Sequence, residues 1–282
     1  MNLSIVIPTL NRFNELDLLL QSIVDCDLNT NFEVLVINQN SEGYLEALEL
    51  KYNKILNIKF CNVDFKGASK ARNYGANLSN GEYICFPDDD CKILKDTFNK
   101  SLKLLEEEQL DVVYGKCVDE KGANSVINFK NYEYFLNTKN MLGGFVEATL
   151  VCKRELFDKC VFDENMGVGT FFGAEEGFDW LYRILIDEAN YKVMYSPEIK
   201  FYHPQVILSK GDLSALNRVF KYRCGTAYLC HKHHFAGKYY KRLIMAYAAS
   251  KLYYFTDKEK SKYYKTEFLA LQLGKIFAEK YL

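Results

Sequence analysis

No stretch of the chain reaches the run of about 18 apolar residues that a membrane-spanning helix needs, so a spanning protein is not expected. The first residues enter a strand-like run, Leu3 to Ile7, with no basic flank and no cleavage site, so no secretory leader is expected. Nine cysteines are present, but none form a Cys-x-x-Cys pair. An odd, irregularly spaced set without a leader argues against a disulfide framework and for reduced thiols in a cytosol. No Gly-rich, Lys-bearing phosphate loop follows the first strand, which removes that mode of nucleotide binding. There is no internal repeat and no low-complexity linker.

What is present is a chain of 282 residues with 49% apolar content, enough for one large domain or a domain with an appendage. The net charge of −1 hides a split. Residues 205–282 hold 15 Lys and Arg against 5 Asp and Glu, a balance of +10, which leaves −11 on the rest. That is not a nucleic-acid pattern across the whole chain, but it implies that the basic, Tyr-rich tail faces something anionic.

The body reads as alternating strands and helices. Leu3–Ile7 (LSIVI) and Glu33–Ile37 (EVLVI) are runs rich in branched apolar residues, as in parallel strands buried on both faces. A helix from Glu15, capped by Asn14, lies between them. A helix over 43–52 and a strand near 58–61 follow, and this order predicts right-handed βαβ units in an α/β fold with a mostly parallel sheet. Residues 67–76 read as a Gly-opened helix carrying Lys70 and Arg72. Further strands are expected at 83–86, 111–114, 148–152 and 191–195, and helices at 95–109 and from Trp180 to Glu188. Residues 117–140 give no clear pattern. Two Tyr- and Lys-rich helices, 214–231 and 239–255, are expected in the tail, so the domains are set at 1–204 and 205–282.

The strand at 83–86 stops at Pro87 and opens onto Asp88, Asp89 and Asp90. Three adjacent carboxylates repel one another unless a cation sits among them. An all-oxygen set suits a hard ion such as Mg2+ or Mn2+, which often arrives with phosphate. In open α/β sheets ligands bind beyond the carboxyl ends of strands, where this triplet lies. A second acidic group, Glu175, Glu176 and Asp179, ends a Gly-rich stretch over 162–179, read as a mobile loop. Carboxylates there also suit a first helical turn. Cys230, His231, His233 and His234 crowd too closely in sequence for one tetrahedral zinc site and read as a basic helix end.

In order, the segments 5–12, 67–76, 81–91, 162–183 and His203 resemble the inverting glycosyltransferases of family 2, which have the GT-A nucleotide-sugar fold. The resemblance covers roughly residues 1–204. Tyr222-Arg223-Cys224-Gly225 and Lys232-His233 resemble a tail motif of bacterial members that build surface polysaccharides. The resemblance implies that Pro8, Thr9, Asn11, Arg12, Lys70, Arg72, Asp88 and Asp89 line the donor site. It implies that Asp90, with Asp88 and His203, completes a Mn2+ or Mg2+ site. Two positions depart from the family pattern. Asn38-Gln39-Asn40-Ser41 stands where Asp-Asp-x-Ser is usual, so the Gln39 carbonyl is expected to accept from the base imide. Counting back from Arg183 puts Gly177 at the catalytic-base position. Glu176 is then the expected base, with Asp179 or Glu175 as the alternatives.

The implied reaction moves a sugar from a UDP- or dTDP-sugar to a glycan or lipid-linked acceptor. The implied place is the cytoplasm, peripheral on the cytosolic membrane face. A sugar nucleotidyltransferase and a binding protein with an impaired site are the rival readings.

Overall fold

The computed structural model describes residues 2–205 and 212–282. The chain opens β1 (Asn2–Thr9), α1 (Phe13–Val24), β2 (Asn31–Asn38), α2 (Glu46–Tyr52), β3 (Ile58–Asn62), α3 (Ala68–Leu78) and β4 (Tyr83–Cys85). It continues β5 (Lys92–Ile93), α4 (Thr97–Glu107), β6 (Val112–Val118), β7 (Tyr134–Phe135), a single 3-10 turn, β8 (Leu150–Lys153) and α5 (Arg154–Lys159). It ends α6 (Glu176–Leu185), β9 (Val193–Tyr202), α7 (Leu213–Lys232), α8 (Ala236–Leu252) and α9 (Lys258–Tyr281).

The described residues form two compact units, 2–162 with 180–205 and 163–179 with 212–282. The first holds one sheet in the order β3-β2-β1-β4-β8-β6-β9-β5, with β7 on β9. The βαβ expectation holds: β1, β2, β3 and β4 run parallel, and β6 runs parallel to β9. Strand β8 is inserted antiparallel between β4 and β6. The apolar runs of β1 and β2 are buried on both faces, as continuous hydrophobic strands must be. Helix α3 lies close on this sheet: a Cβ at Gly75 would come within 2.4 Å of Val6 Cγ1. Register puts Thr9 beside Asn38 and Asn38 beside Asn62 at the carboxyl edge.

Several boundaries differ from the sequence reading. Helix α1 begins at Phe13 with Arg12 as its N-cap residue, so Asn14 sits in the first turn and does not cap. Helix α6 begins at Glu176, four residues before the expected start at Trp180. Strand β9 runs from Val193 to Tyr202, seven residues past the expected end at 195.

The second unit is helical. Its core joins Met166 and Phe172 to Cys224, Tyr228 and Leu229 of α7 and Ala270 and Ala278 of α9. Helix α9, 24 residues long, was not expected. Its first residues, Lys258 to Lys262, are all polar and carry no amphipathic signal. No helix among the described residues is long and apolar enough to cross a membrane.

Candidate active site

The first unit gathers most of the expected donor-site residues at the carboxyl edge of its sheet. Thr9 ends β1 and is buried, and Asn11 follows in a left-handed conformation, φ 60°. Its amide donates to Asn40 Oδ1 at 2.7 Å, which ties the turn after β1 to the turn after β2. Arg12 then reaches Asp90, with Nη1 2.8 Å from Oδ2. Arg72, on α3 and 3% exposed, donates from Nη2 to Asp88 Oδ1 at 2.7 Å. Its guanidinium lies over the Phe162 ring, 5.5 Å from the centroid. Phe162 packs in turn with Phe86, Phe157 and Trp180, so an aromatic floor fixes the arginine.

Asp89 bears the electrostatic cost of the triplet. Burial, above all, pushes its carboxyl up to about 7, with Asp88 and Asp90 adding and the Thr9 hydroxyl and Arg12 opposing.

His203 stands at 3.6 Å from Asp90, Nε2 to Oδ1. Its Nδ1 lies 2.8 Å from the Pro204 carbonyl oxygen. A carbonyl only accepts, so Nδ1 carries the proton in that bond, and in the neutral ring the Nε2 lone pair faces Asp90. Two acceptors facing one another at this separation suit a shared cation. Cys91 Sγ belongs to the same cluster, with all ligand atoms within 4.8 Å of one another. Burial drives the Cys91 thiol far above its ordinary range, and a soft sulfur donor does not suit a hard ion. The remaining oxygen and imidazole donors fit Mn2+ or Mg2+, with phosphate oxygens left to complete the shell.

Two expected donor-site residues have partners within the chain. Gln39 is buried, and its Oε1 accepts from the Gly67 amide at 2.8 Å, at the start of α3, so its carbonyl is already engaged. Lys70 is exposed and lies over the Phe65 ring at 4.6 Å, with no bond to the carboxylate triplet. The lysine that joins this edge is Lys66, which donates to the backbone carbonyl of Gln39 and which the sequence reading passed over. Its position in the residue before Gly67 was the available signal.

The candidate base residues lie in the second unit. The segment read as a mobile loop is bonded along its length to α7. Gly173 N–H donates to Lys221 O at 3.1 Å, and Thr226 Oγ1 donates to Glu175 Oε1 at 2.8 Å. At Gly225 a Cβ would stand 2.5 Å from Ala174 O and 2.9 Å from Ala174 N, so only glycine permits this approach. Phe172 stacks on Tyr228 at 4.3 Å. Asp179 is fully buried: its Oδ1 lies 2.8 Å from His233 Nε2 and 2.9 Å from Lys232 Nζ. Lys232 also meets Asp163 Oδ2 at 2.6 Å, so one ammonium bridges both ends of the 163–179 segment. Glu175 sits at φ 75°, and Glu176, 3% exposed, opens α6. Further along, within the first unit, Arg183 donates to Val161 O at 2.7 Å.

The family model for glycosyl transferase family 2 matches residues 4–162. The chain belongs to glycosyl transferase family 2. It is 26% identical over 191 residues to an uncharacterized glycosyltransferase of Haemophilus influenzae, covering 65% of this chain and 62% of that one. It is 24% identical over 264 residues to the poly(ribitol-phosphate) beta-N-acetylglucosaminyltransferase TarP of Staphylococcus aureus, covering 86% of this chain and 79% of TarP. The chain spans only 22% of TarS, a second such transferase of S. aureus, at 31% identity over 127 residues. The crystal structure of TarS residues 1–349 with UDP superposes with a TM-score of 0.61 at 17% identity, over 100% of this chain and 92% of that one. At that identity the likeness is one of fold, and it bears out the expected GT-A architecture with a helical C-terminal region.

The nine cysteines are all free thiols, as their spacing implied. Among the described residues, the only cluster of three or more potential metal ligands is that of Asp90, Cys91 and His203, so His231 to His234 form no second one.

Proposed function

We propose that this family 2 chain transfers a sugar, with inversion, from a UDP- or dTDP-sugar to a glycan or lipid-linked acceptor in bacterial surface polysaccharide synthesis. The observation that carries the reading is the Asp90–His203 pair, two facing acceptors beside Arg12 at the carboxyl edge of a parallel sheet. Solved TarS complexes hold UDP and UDP-GlcNAc, which supports a uridine nucleotide for the donor. An amylovoran biosynthesis glycosyltransferase of Erwinia amylovora, 28% identical over 178 residues, and the TarS and TarP relatives support a surface-polymer acceptor.

Asp90 and His203 would hold the divalent ion, with Asp88 nearby. When bound, the ion supplies Lewis-acid neutralisation of charge on a departing diphosphate. Arg72 and Arg12, set against Asp88 and Asp90, are placed to meet phosphate oxygens once those carboxylates engage the ion or the ribose. Asp89, the next carboxylate of the triplet, contacts a hydroxyl of the donor ribose. Pro8, Thr9 and Asn11 shape the turn that receives the base, while Gln39 acts indirectly by holding the start of α3. Glu176 takes the proton from the acceptor hydroxyl, a contribution of roughly 10²–10⁴-fold in rate. One base suffices because a diphosphate leaves without protonation. Asp179, held by two cationic partners, positions the segment that ends at Glu176.

The test is a panel of nucleotide-sugars screened by thermal shift with Mn2+ and with EDTA, followed by turnover of those that bind. Stabilisation by a UDP- or dTDP-sugar that needs the metal is expected. Equal stabilisation in EDTA would sink the metal assignment. A second reading, a donor-binding protein without turnover, is favoured by Gly177 at the position where the family pattern carries its base. Metal-dependent donor binding with no nucleotide release across glycan and lipid-linked acceptors would support it.

A further inference from the structure

In the second unit, helices α8 and α9 pack against each other and leave large apolar side chains outside. Ile244, Tyr247 and Leu252 of α8, Phe255 in the turn after it, and Leu273 and Ile276 of α9 are all exposed. Phe255 is 90% exposed and Leu252 71%, more than packing within the unit explains. Ile244 and Tyr247 stand one turn apart on one face of α8, and Leu252 ends the helix beside the turn that carries Phe255. Lysines are set among them: Lys241 and Lys251 are exposed, and Lys251 lies 5.5 Å from the centre of the Tyr247 ring. Helix α8 contains no Asp or Glu at all, and residues 236–282 carry ten Lys and Arg against four Asp and Glu, a balance of +6.

We infer that the α8–α9 hairpin is the surface by which the chain docks on an anionic lipid bilayer, with the 252–255 turn set into the headgroup zone. Aliphatic and aromatic side chains interleaved with lysine are the composition of a helix lying in a membrane interface. Long lysine stems can cover apolar surface while carrying their charge outward to lipid phosphates. A second copy of the chain fits worse. Lysine is depleted in the cores of protein interfaces, and a two-fold contact would set the acid-free α8 face against itself. A nucleic acid would engage the lysines but gains nothing from Ile244 or Leu252. This deepens the lipid-linked-acceptor part of the proposed function and is independent of the donor chemistry.

The experiment is flotation of the full chain with vesicles of phosphatidylcholine alone and of phosphatidylcholine with phosphatidylglycerol, at low and high salt. The unaltered protein is expected to float with the anionic vesicles and to be released by salt. Each lysine near an anionic surface contributes about a five-fold factor in partitioning. Lys241→Glu with Lys251→Glu should therefore weaken binding by more than about 20-fold. Leu252→Ser with Phe255→Ser, both on open surface, should weaken it by at least ten-fold while leaving the charge in place. UDP-sugar binding without vesicles should be the same in all variants; its absence from the unaltered protein would fault the donor reading and not this one. Equal flotation with neutral and anionic vesicles would overturn the inference, as would unchanged binding in both double variants. So would a dimer by light scattering that Leu252→Ser with Phe255→Ser converts to monomer without changing flotation.

Discussion

Asp179→Asn separates a positioning role from a catalytic one. The Asp179 carboxylate is fully buried, 2.9 Å from Lys232 Nζ and 2.8 Å from His233 Nε2. Removing one partner of a buried ion pair costs about 3–5 kcal/mol, because the other charge stays buried. Lys232 is 20% exposed and keeps Asp163 at 2.6 Å, so it is not stranded. His233 can still bond to the amide that replaces the carboxylate. The cost should therefore fall to about 2–3 kcal/mol, below that range. At roughly 2–4 °C per kcal/mol for chains somewhat shorter than this one, the melting temperature should drop by about 5–10 °C. Turnover should fall less than in Glu176→Gln, which keeps the shape of the side chain and removes its basicity. That variant should lose about 10²-fold or more in kcat with a much smaller change in melting. Thermal unfolding and steady-state turnover on the two proteins settle the assignment. If Asp179→Asn melts within about 1 °C of the unaltered chain yet loses more than 100-fold in turnover with donor binding intact, the positioning argument fails. Asp179 would then be the base.

Asp90→Ala should abolish the metal-dependent part of UDP binding while circular dichroism and melting stay near normal; titration calorimetry with Mn2+ and with EDTA checks it, and identical binding in both would refute the cation site. Gly225→Ala should destabilise the chain by about 1–3 kcal/mol, because the new methyl meets backbone atoms of Ala174 and has no rotamer to escape into. A urea midpoint unchanged from the parent would show that the 173–175 segment does not depend on this contact.

Much of the first unit was legible from the chain alone. Runs rich in branched apolar residues, such as Leu3–Ile7 and Glu33–Ile37, allow little but a strand buried on both faces, and their alternation with helices leaves few topologies. A strand ending in Pro87-Asp88-Asp89-Asp90 places charge at a sheet edge by local sequence alone. Local patterning could not determine pairings between side chains far apart in the chain. Nothing near Gln39 announces that its amide oxygen is taken by Gly67 or that its backbone carbonyl accepts from Lys66. Likewise, Lys232 and His233 read as the end of a basic helix until folding brings them to Asp179 across more than fifty residues. The 163–179 segment looked mobile because its glycines permit many conformations. Tertiary structure selects one of them, through hydrogen bonds from α7 and a backbone approach that Gly225 alone allows. Backbone periodicity is a local property written in each segment, whereas the partner of a buried charge is set by the path of the whole chain.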